Sequence, residues 1–74
     1  MSSAELNNLI KMINQIADNI AIGDNEAVTA PKVAAHVRSF WARQMKDKII
    51  DYAICDGEQL NAVAKIAVLQ LKEN

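Results

Sequence analysis

The hydrophobic residues of this chain recur at helical spacing in four separate segments. In the first segment, apolar positions three or four residues apart form one stripe on a helical wheel of about 100° per residue. That stripe contains Leu6, Leu9, Ile10, Ile13, Ile16, Ala17 and Ile20. The pattern predicts a helix over residues 3–21, begun by a capping box of Ser2 and Glu5 and ended by Gly23.

A second helix is predicted over residues 31–41. Thr29 would cap this helix, and Pro31 would lie in its first turn, where a missing N–H leaves no hydrogen bond unmade. The residues expected to share its apolar face are Val33, Val37, Phe40 and Trp41. The helical phase shifts after Trp41, which predicts a break near Ala42 and at least one aromatic ring filling the angle there.

The third and fourth helices are predicted over residues 43–55 and 58–72. The third helix has a stripe of Met45, Ile49, Tyr52 and Ala53 and is expected to end at Asp56 and Gly57. The stripe of the fourth helix contains Leu60, Val63, Ala64, Ala67 and Leu71. Four short helices with short connections predict an all-α fold, a small single-domain bundle over residues 1–74.

Some apolar residues fall outside these stripes. They are Ile50 and Ile54 in the third helix and Ala62, Val68 and Leu69 in the fourth. A helix that is apolar on more than one face usually has more than one neighbour, and exposed apolar surface often marks a protein contact. The pattern therefore predicts a surface for another chain. The alternative is a compact globule whose last helix lies at its centre.

Composition narrows the possible chemistry. With one cysteine, Cys55, and one histidine, His36, an intrachain disulfide is excluded and a closed zinc site lacks ligands. The chain has no apolar run near the roughly 18 residues of a membrane span, and its N-terminus lacks the basic region of a signal peptide. We expect a cytoplasmic chain without catalytic, cofactor-binding or metal-binding residues. A nucleophilic Cys55–His36 pair is the alternative to a structural role for both residues.

The charge is distributed unevenly along the chain. The net charge is −1, yet residues 32–48 hold five basic residues and one acidic residue, together with the only Phe and the only Trp. Trp and Arg dominate the hot spots of protein interfaces, so this segment is predicted to contact a partner. The predicted contact residues are Arg38, Phe40, Trp41, Arg43, Met45, Lys46 and Leu69. The alternatives are rings packed in the bundle beneath a solvated cationic rim, and rings that stack on RNA bases.

Three blocks of the sequence carry a family resemblance. They are Met12-Ile13-Asn14-Gln15-Ile16-Ala17, then His36-Val37-Arg38-Ser39-Phe40-Trp41 followed by Met45-Lys46, and then Gly57-Glu58-Gln59-Leu60. In this order they resemble the M-A-N-Q-I-A, H-[IV]-x-x-F-W-x-P-x-M-[RK] and G-x-x-L blocks of the delta subunit of NAD-dependent formate dehydrogenase. That family usually has a proline at the position of Arg43, where it would start the third helix.

The resemblance implies a small non-catalytic subunit of a cytoplasmic molybdenum- or tungsten-containing complex. In such a complex the molybdopterin, iron–sulfur clusters, FMN and NAD are expected on the other subunits. The implied role is to dock on a large subunit and to support assembly or stability. The alternative is a free-standing, homo-oligomeric helical module that is regulatory or binds nucleic acid, although a net charge of −1 argues against nucleic acid.

Overall fold

The computed structural model describes residues 4–20 and 25–72. These residues form four α-helices and no strand, which confirms the all-α prediction. In chain order the helices are α1 (Ala4–Ile20), α2 (Glu26–Phe40), α3 (Arg43–Cys55) and α4 (Ala62–Lys72). Ser2 and Gly23, which were predicted to start and end the first helix, lie outside the described residues.

One hydrophobic core joins the four helices. Its buried members are Leu9, Ile10, Ile13, Ala17, Ala30, Val33, Ala34, Val37, Trp41, Ile49, Leu60, Ala64, Ala67, Val68 and Leu71. The last helix packs against each of the other three and most extensively against α2. Because α4 has three neighbours, it buries a wider arc than one stripe, and Val68 is completely buried. The central position of α4 accounts for part of the apolar excess in its sequence.

The start of α2 differs from its prediction. The helix begins at Glu26 rather than at residue 31, because Asn25 caps it: the Asn25 side chain accepts a hydrogen bond from the Val28 N–H at 3.0 Å. The predicted cap, Thr29, is a fully buried helical residue. Pro31 lies inside the helix rather than in its first turn, so that prediction was also wrong.

The break between α2 and α3 lies where the phase shift predicted it. Trp41 and Ala42 have extended ψ angles of 141° and 153°, and α3 then covers the predicted residues 43–55. Across the break, the Lys46 ammonium donates a hydrogen bond to the Arg38 carbonyl at 3.4 Å. The last carbonyls of a helix have no helical donor, so Lys46 satisfies one of them and holds the two helices together.

The turn between α3 and α4 is longer than predicted. Gly57 follows the end of α3, as predicted, with a φ of +68° and an N–H that donates to the Tyr52 carbonyl at 3.1 Å. The Gln59 N–H donates to the Tyr52 hydroxyl at 3.0 Å. Because these bonds hold the chain in a turn, α4 begins at Ala62 rather than at residue 58.

Asn61 caps α4 and joins it to α1. Its Oδ1 accepts a hydrogen bond from the Ala64 N–H at 2.8 Å, and its own N–H donates to Asn14 Oδ1 at 2.9 Å. Asn14 Nδ2 in turn donates to the Gln59 carbonyl at 2.9 Å. Leu60 is therefore buried from a turn and not from the helical stripe to which it was assigned.

Candidate partner interface

A groove lies where the end of α2, the first half of α3 and the end of α4 meet. The residues that line it are Arg38, Arg43, Lys46, Asp47, Ile50 and Leu71. We call it the basic groove. Arg38 and Arg43 are exposed, Lys46 and Ile50 are half-buried, and Leu71 is buried. The groove therefore has a cationic edge and an apolar base.

The positive charge of the basic groove is only partly neutralised. Its single carboxylate, Asp47, lies 4.0 Å from Arg43 Nε, and both side chains are highly exposed, at 67% and 92%. An exposed pair of this kind contributes little free energy. Within residues 4–20 and 25–72, neither Arg38 nor Lys46 has a carboxylate partner. The groove therefore carries positive charge that the described carboxylates of the chain leave largely unneutralised.

The two neighbouring aromatic residues have opposite surroundings. Trp41 is 6% exposed and belongs to the core, whereas Phe40 is 75% exposed. The Phe40 ring packs on the His36 ring, with centroids 4.8 Å apart and planes tilted by 39°. Phe40 was expected to share the apolar face of Val33 and Val37, and that expectation was wrong. Adjacent helical residues point about 100° apart, so only one of the two rings reaches the core.

The structure divides the seven predicted contact residues into groups. Arg38, Arg43 and Lys46 meet in the basic groove. Met45 is half-buried and packs against the core, and Leu69 is exposed on α4 outside the groove. The groove also contains Asp47, Ile50 and Leu71, which the sequence did not assign to it. The off-stripe position of Ile50 was the one signal of this role that the sequence contained.

A family model for the NADH-dependent formate dehydrogenase delta subunit FdsD matches residues 8–68. The chain belongs to this family. The match confirms the resemblance drawn from the three sequence blocks. Neither the curated proteins nor the solved structures compared with the chain gave a match.

Two of the three sequence blocks of this FdsD-family chain meet in space. The first and third blocks are joined by the bond from Asn14 Nδ2 to the Gln59 carbonyl. The second block contains the exposed Phe40, the buried Trp41 and two cations of the basic groove. The first and third blocks are thus placed to stabilise the fold, while the second block combines a core anchor with exposed groups.

A second cleft lies between α1 and α3 of this FdsD-family chain. Leu6, Gln44, Asp47, Lys48, Asp51, Tyr52 and Cys55 line it. A salt bridge of 2.8 Å joins Lys48 to Glu5 between the two helices. Cys55 is exposed in this cleft, whereas His36 packs on Phe40 in α2. In the described part of the chain, no three His, Cys, Asp or Glu residues are grouped so that they could hold a metal ion.

Other exposed apolar residues are spread over all four helices. They are Met12, Val28, Ile54 and Leu69. Ile54 and Leu69 were predicted from their off-stripe positions to supply surface for another chain, and both are exposed. No helix in the described ranges is long and apolar enough to cross a membrane.

Proposed function

We propose that this FdsD-family chain is a non-catalytic accessory subunit of a cytoplasmic NAD-dependent formate dehydrogenase. In this proposal it docks on a large subunit and supports the assembly or stability of the complex. The match of the family model over residues 8–68 is the observation that carries the proposal. The molybdopterin, iron–sulfur clusters, FMN and NAD sites belong to other subunits of the complex.

The surroundings of the two candidate catalytic residues support a non-catalytic role. A nucleophile and its base must lie within hydrogen-bond reach, about 2.6–3.2 Å. Cys55 lies in the cleft between α1 and α3, whereas His36 packs on Phe40 in α2. The two residues are therefore placed in different local environments rather than as a working pair.

The surface of the chain supports a docking role. Among the residues that the structure describes, Phe40 has the most exposed large apolar side chain, and basic residues flank it in the sequence. Aromatic and Arg residues are enriched at the centres of protein interfaces, where they supply most of the binding free energy. The surface around Phe40, with Arg38 and Arg43, combines the same two residue types.

The proposal is tested by purifying the complex from a host with and without the gene for this chain. We expect the tagged chain to elute with the other subunits, and formate-dependent NAD reduction to require those subunits. Without the chain, the yield of assembled complex or its half-life at elevated temperature should fall, and plasmid-borne wild type should restore it.

Two results would contradict the proposal. One is formate-dependent NAD reduction by the purified chain alone. The other is a chain that elutes only as a homo-oligomer while the yield and half-life of the complex are the same with and without it.

A further inference from the structure

We infer that the basic groove binds an acidic segment of another subunit, one that presents carboxylates on either side of an apolar side chain. This inference rests on the proposed function, since it names the contact through which the accessory subunit docks. It is carried by three observations: cations that Asp47 neutralises only in part, apolar residues in the same groove, and a local sequence at the start of α3 that is unfavourable for a helix.

The start of α3 lacks the residues that usually stabilise the N-terminus of a helix. Ala42 offers no side-chain hydrogen bond to the first turn, and that turn contains no acidic residue. Arg43 instead places a cation at the helix N-terminus, where the macrodipole favours anions. At α2, by contrast, Asn25 caps the helix and Glu26 lies in the first turn. A local rule that is broken without a gain for the fold often marks a functional position.

The cations of the groove are of the kinds that bind carboxylates. Arg38 and Arg43 carry planar guanidinium groups, which can bind a carboxylate through two parallel hydrogen bonds. Lys46 is already held by the Arg38 carbonyl, at 3.4 Å, so part of its conformational freedom is lost before a partner arrives. A partly fixed cation loses less entropy on binding than a free one.

The base of the groove favours a protein segment over nucleic acid. Ile50 and Leu71 offer apolar surface to a side chain. A phosphate backbone would leave that apolar surface uncovered. Base stacking requires an accessible aromatic ring in the site, and neither Phe40 nor the buried Trp41 lines the groove.

The test measures the dissociation constant of the chain for the rest of the complex at low and at physiological salt. Arg43→Glu is the main variant, because a carboxylate at the first position of α3 improves the interaction with the helix dipole and offsets the loss of the exposed pair with Asp47. We expect it to melt no lower than wild type yet to bind at least about tenfold more weakly, which corresponds to roughly 1.4 kcal/mol.

Three further variants make the test specific. Arg38→Glu and the neutral Arg38→Gln should also weaken binding, the reversal more than the neutral change. Lys11→Glu is the matched control, since it makes the same charge change at an exposed position of α1 outside the groove. A carbodiimide applied to the intact complex should join Lys46, and not Lys11, to an aspartate or glutamate of another subunit.

The outcomes distinguish a failure of the inferred groove contact from a failure of the proposed function. If the wild-type chain binds but both Arg variants bind equally well, the groove is not the contact and the proposed function stands. If Lys11→Glu weakens binding as much as the Arg variants do, the inference is also overturned, because binding then depends on the net charge of the chain and not on the groove. If the wild-type chain binds no other subunit, both proposals fail. If the Arg variants bind the other subunits as wild type does but are no longer retained on a nucleic-acid column, the groove binds nucleic acid and the inferred acidic segment is rejected.

Discussion

Asn61 donates two hydrogen bonds to Asn14, a residue 47 positions earlier in the chain. The Asn61 backbone N–H binds Asn14 Oδ1 at 2.9 Å, and Asn61 Nδ2 binds the Asn14 carbonyl at 3.3 Å. Asn61 Nδ2 also lies 3.2 Å from Asp18 Oδ1. One residue thus caps α4 and fixes the start of that helix against the middle of α1.

Replacement of Asn61 by Ala removes the cap and its side-chain bonds to α1. We expect Asn61→Ala to lower the free energy of unfolding by about 2–3 kcal/mol, and Asn14→Ala by about 1–2 kcal/mol. The double variant measures the coupling between the two residues, since each side chain bonds to the backbone of the other. Urea denaturation measures these differences. The control Asn7→Ala, at an exposed position of α1, should change stability by no more than about 0.5 kcal/mol.

The two aromatic residues at the break should respond differently to truncation. Trp41→Ala empties a core position and should cost about 3–5 kcal/mol, enough to unfold much of a domain this small. Phe40→Ala should change stability by no more than about 0.5 kcal/mol but weaken binding to the rest of the complex. Thermal melting and co-purification of both variants decide this. Wild-type melting of Trp41→Ala, or wild-type binding of Phe40→Ala, would be the contrary result.

Thr29 offers a route to higher stability. Its side chain is fully buried, and its hydroxyl oxygen has no hydrogen-bond partner among the residues that the structure describes. Thr29→Val keeps the shape and removes the cost of burying a polar group, so we expect a gain of about 1 kcal/mol. Thr29→Ser keeps the hydroxyl and loses a methyl group, and it should destabilise the fold. If thermal melting ranks Ser above Val, the hydroxyl has a role in the native state.

A better cap at the start of α3 should also stabilise the chain. Ala42 has the extended backbone of an N-cap residue but no side-chain acceptor. Ala42→Ser should raise the free energy of unfolding by about 0.5–1 kcal/mol, or the melting temperature by about 4–8 °C per kcal/mol. The same change at Ala35, an exposed position inside α2, should lower stability by a few tenths of a kcal/mol. Equal shifts in melting temperature at the two positions would rule out capping as the cause.

Periodicity predicted the helices whose buried faces consist of large apolar residues. The stripe of α1, with Leu9, Ile10 and Ile13, is of this kind. The start of α2 was missed because its buried residues are Thr29 and Ala30, which give no hydrophobic signal. The start of α4 was misplaced because Leu60 fits the helical stripe, although bonds of the neighbouring turn to Tyr52 and Asn14 hold it outside the helix. Such bonds between distant segments cannot be read from local spacing.

The candidate site was predictable in its charges but not in its shape. Clustered cations at Arg38, Arg43 and Lys46 are visible in the sequence, and the fold brings them to one groove. Leu71 joins them only because the end of α4 packs beside the break, which is a tertiary relationship. Phe40 and Trp41 could not be told apart from the sequence, since the exact end of α2 decides which ring faces the core.

The buried position of Trp41 has an optical consequence. It is the only tryptophan of the chain, so fluorescence excited at the red edge of indole absorption comes from the corner between α2 and α3 alone. Indole emission moves to longer wavelength when water reaches the ring, and it responds to charges brought close to it. Unfolding should therefore shift the emission colour, and an acidic segment arriving at the neighbouring groove should change its intensity. Trp41 therefore reports both unfolding and binding at the groove without an added label.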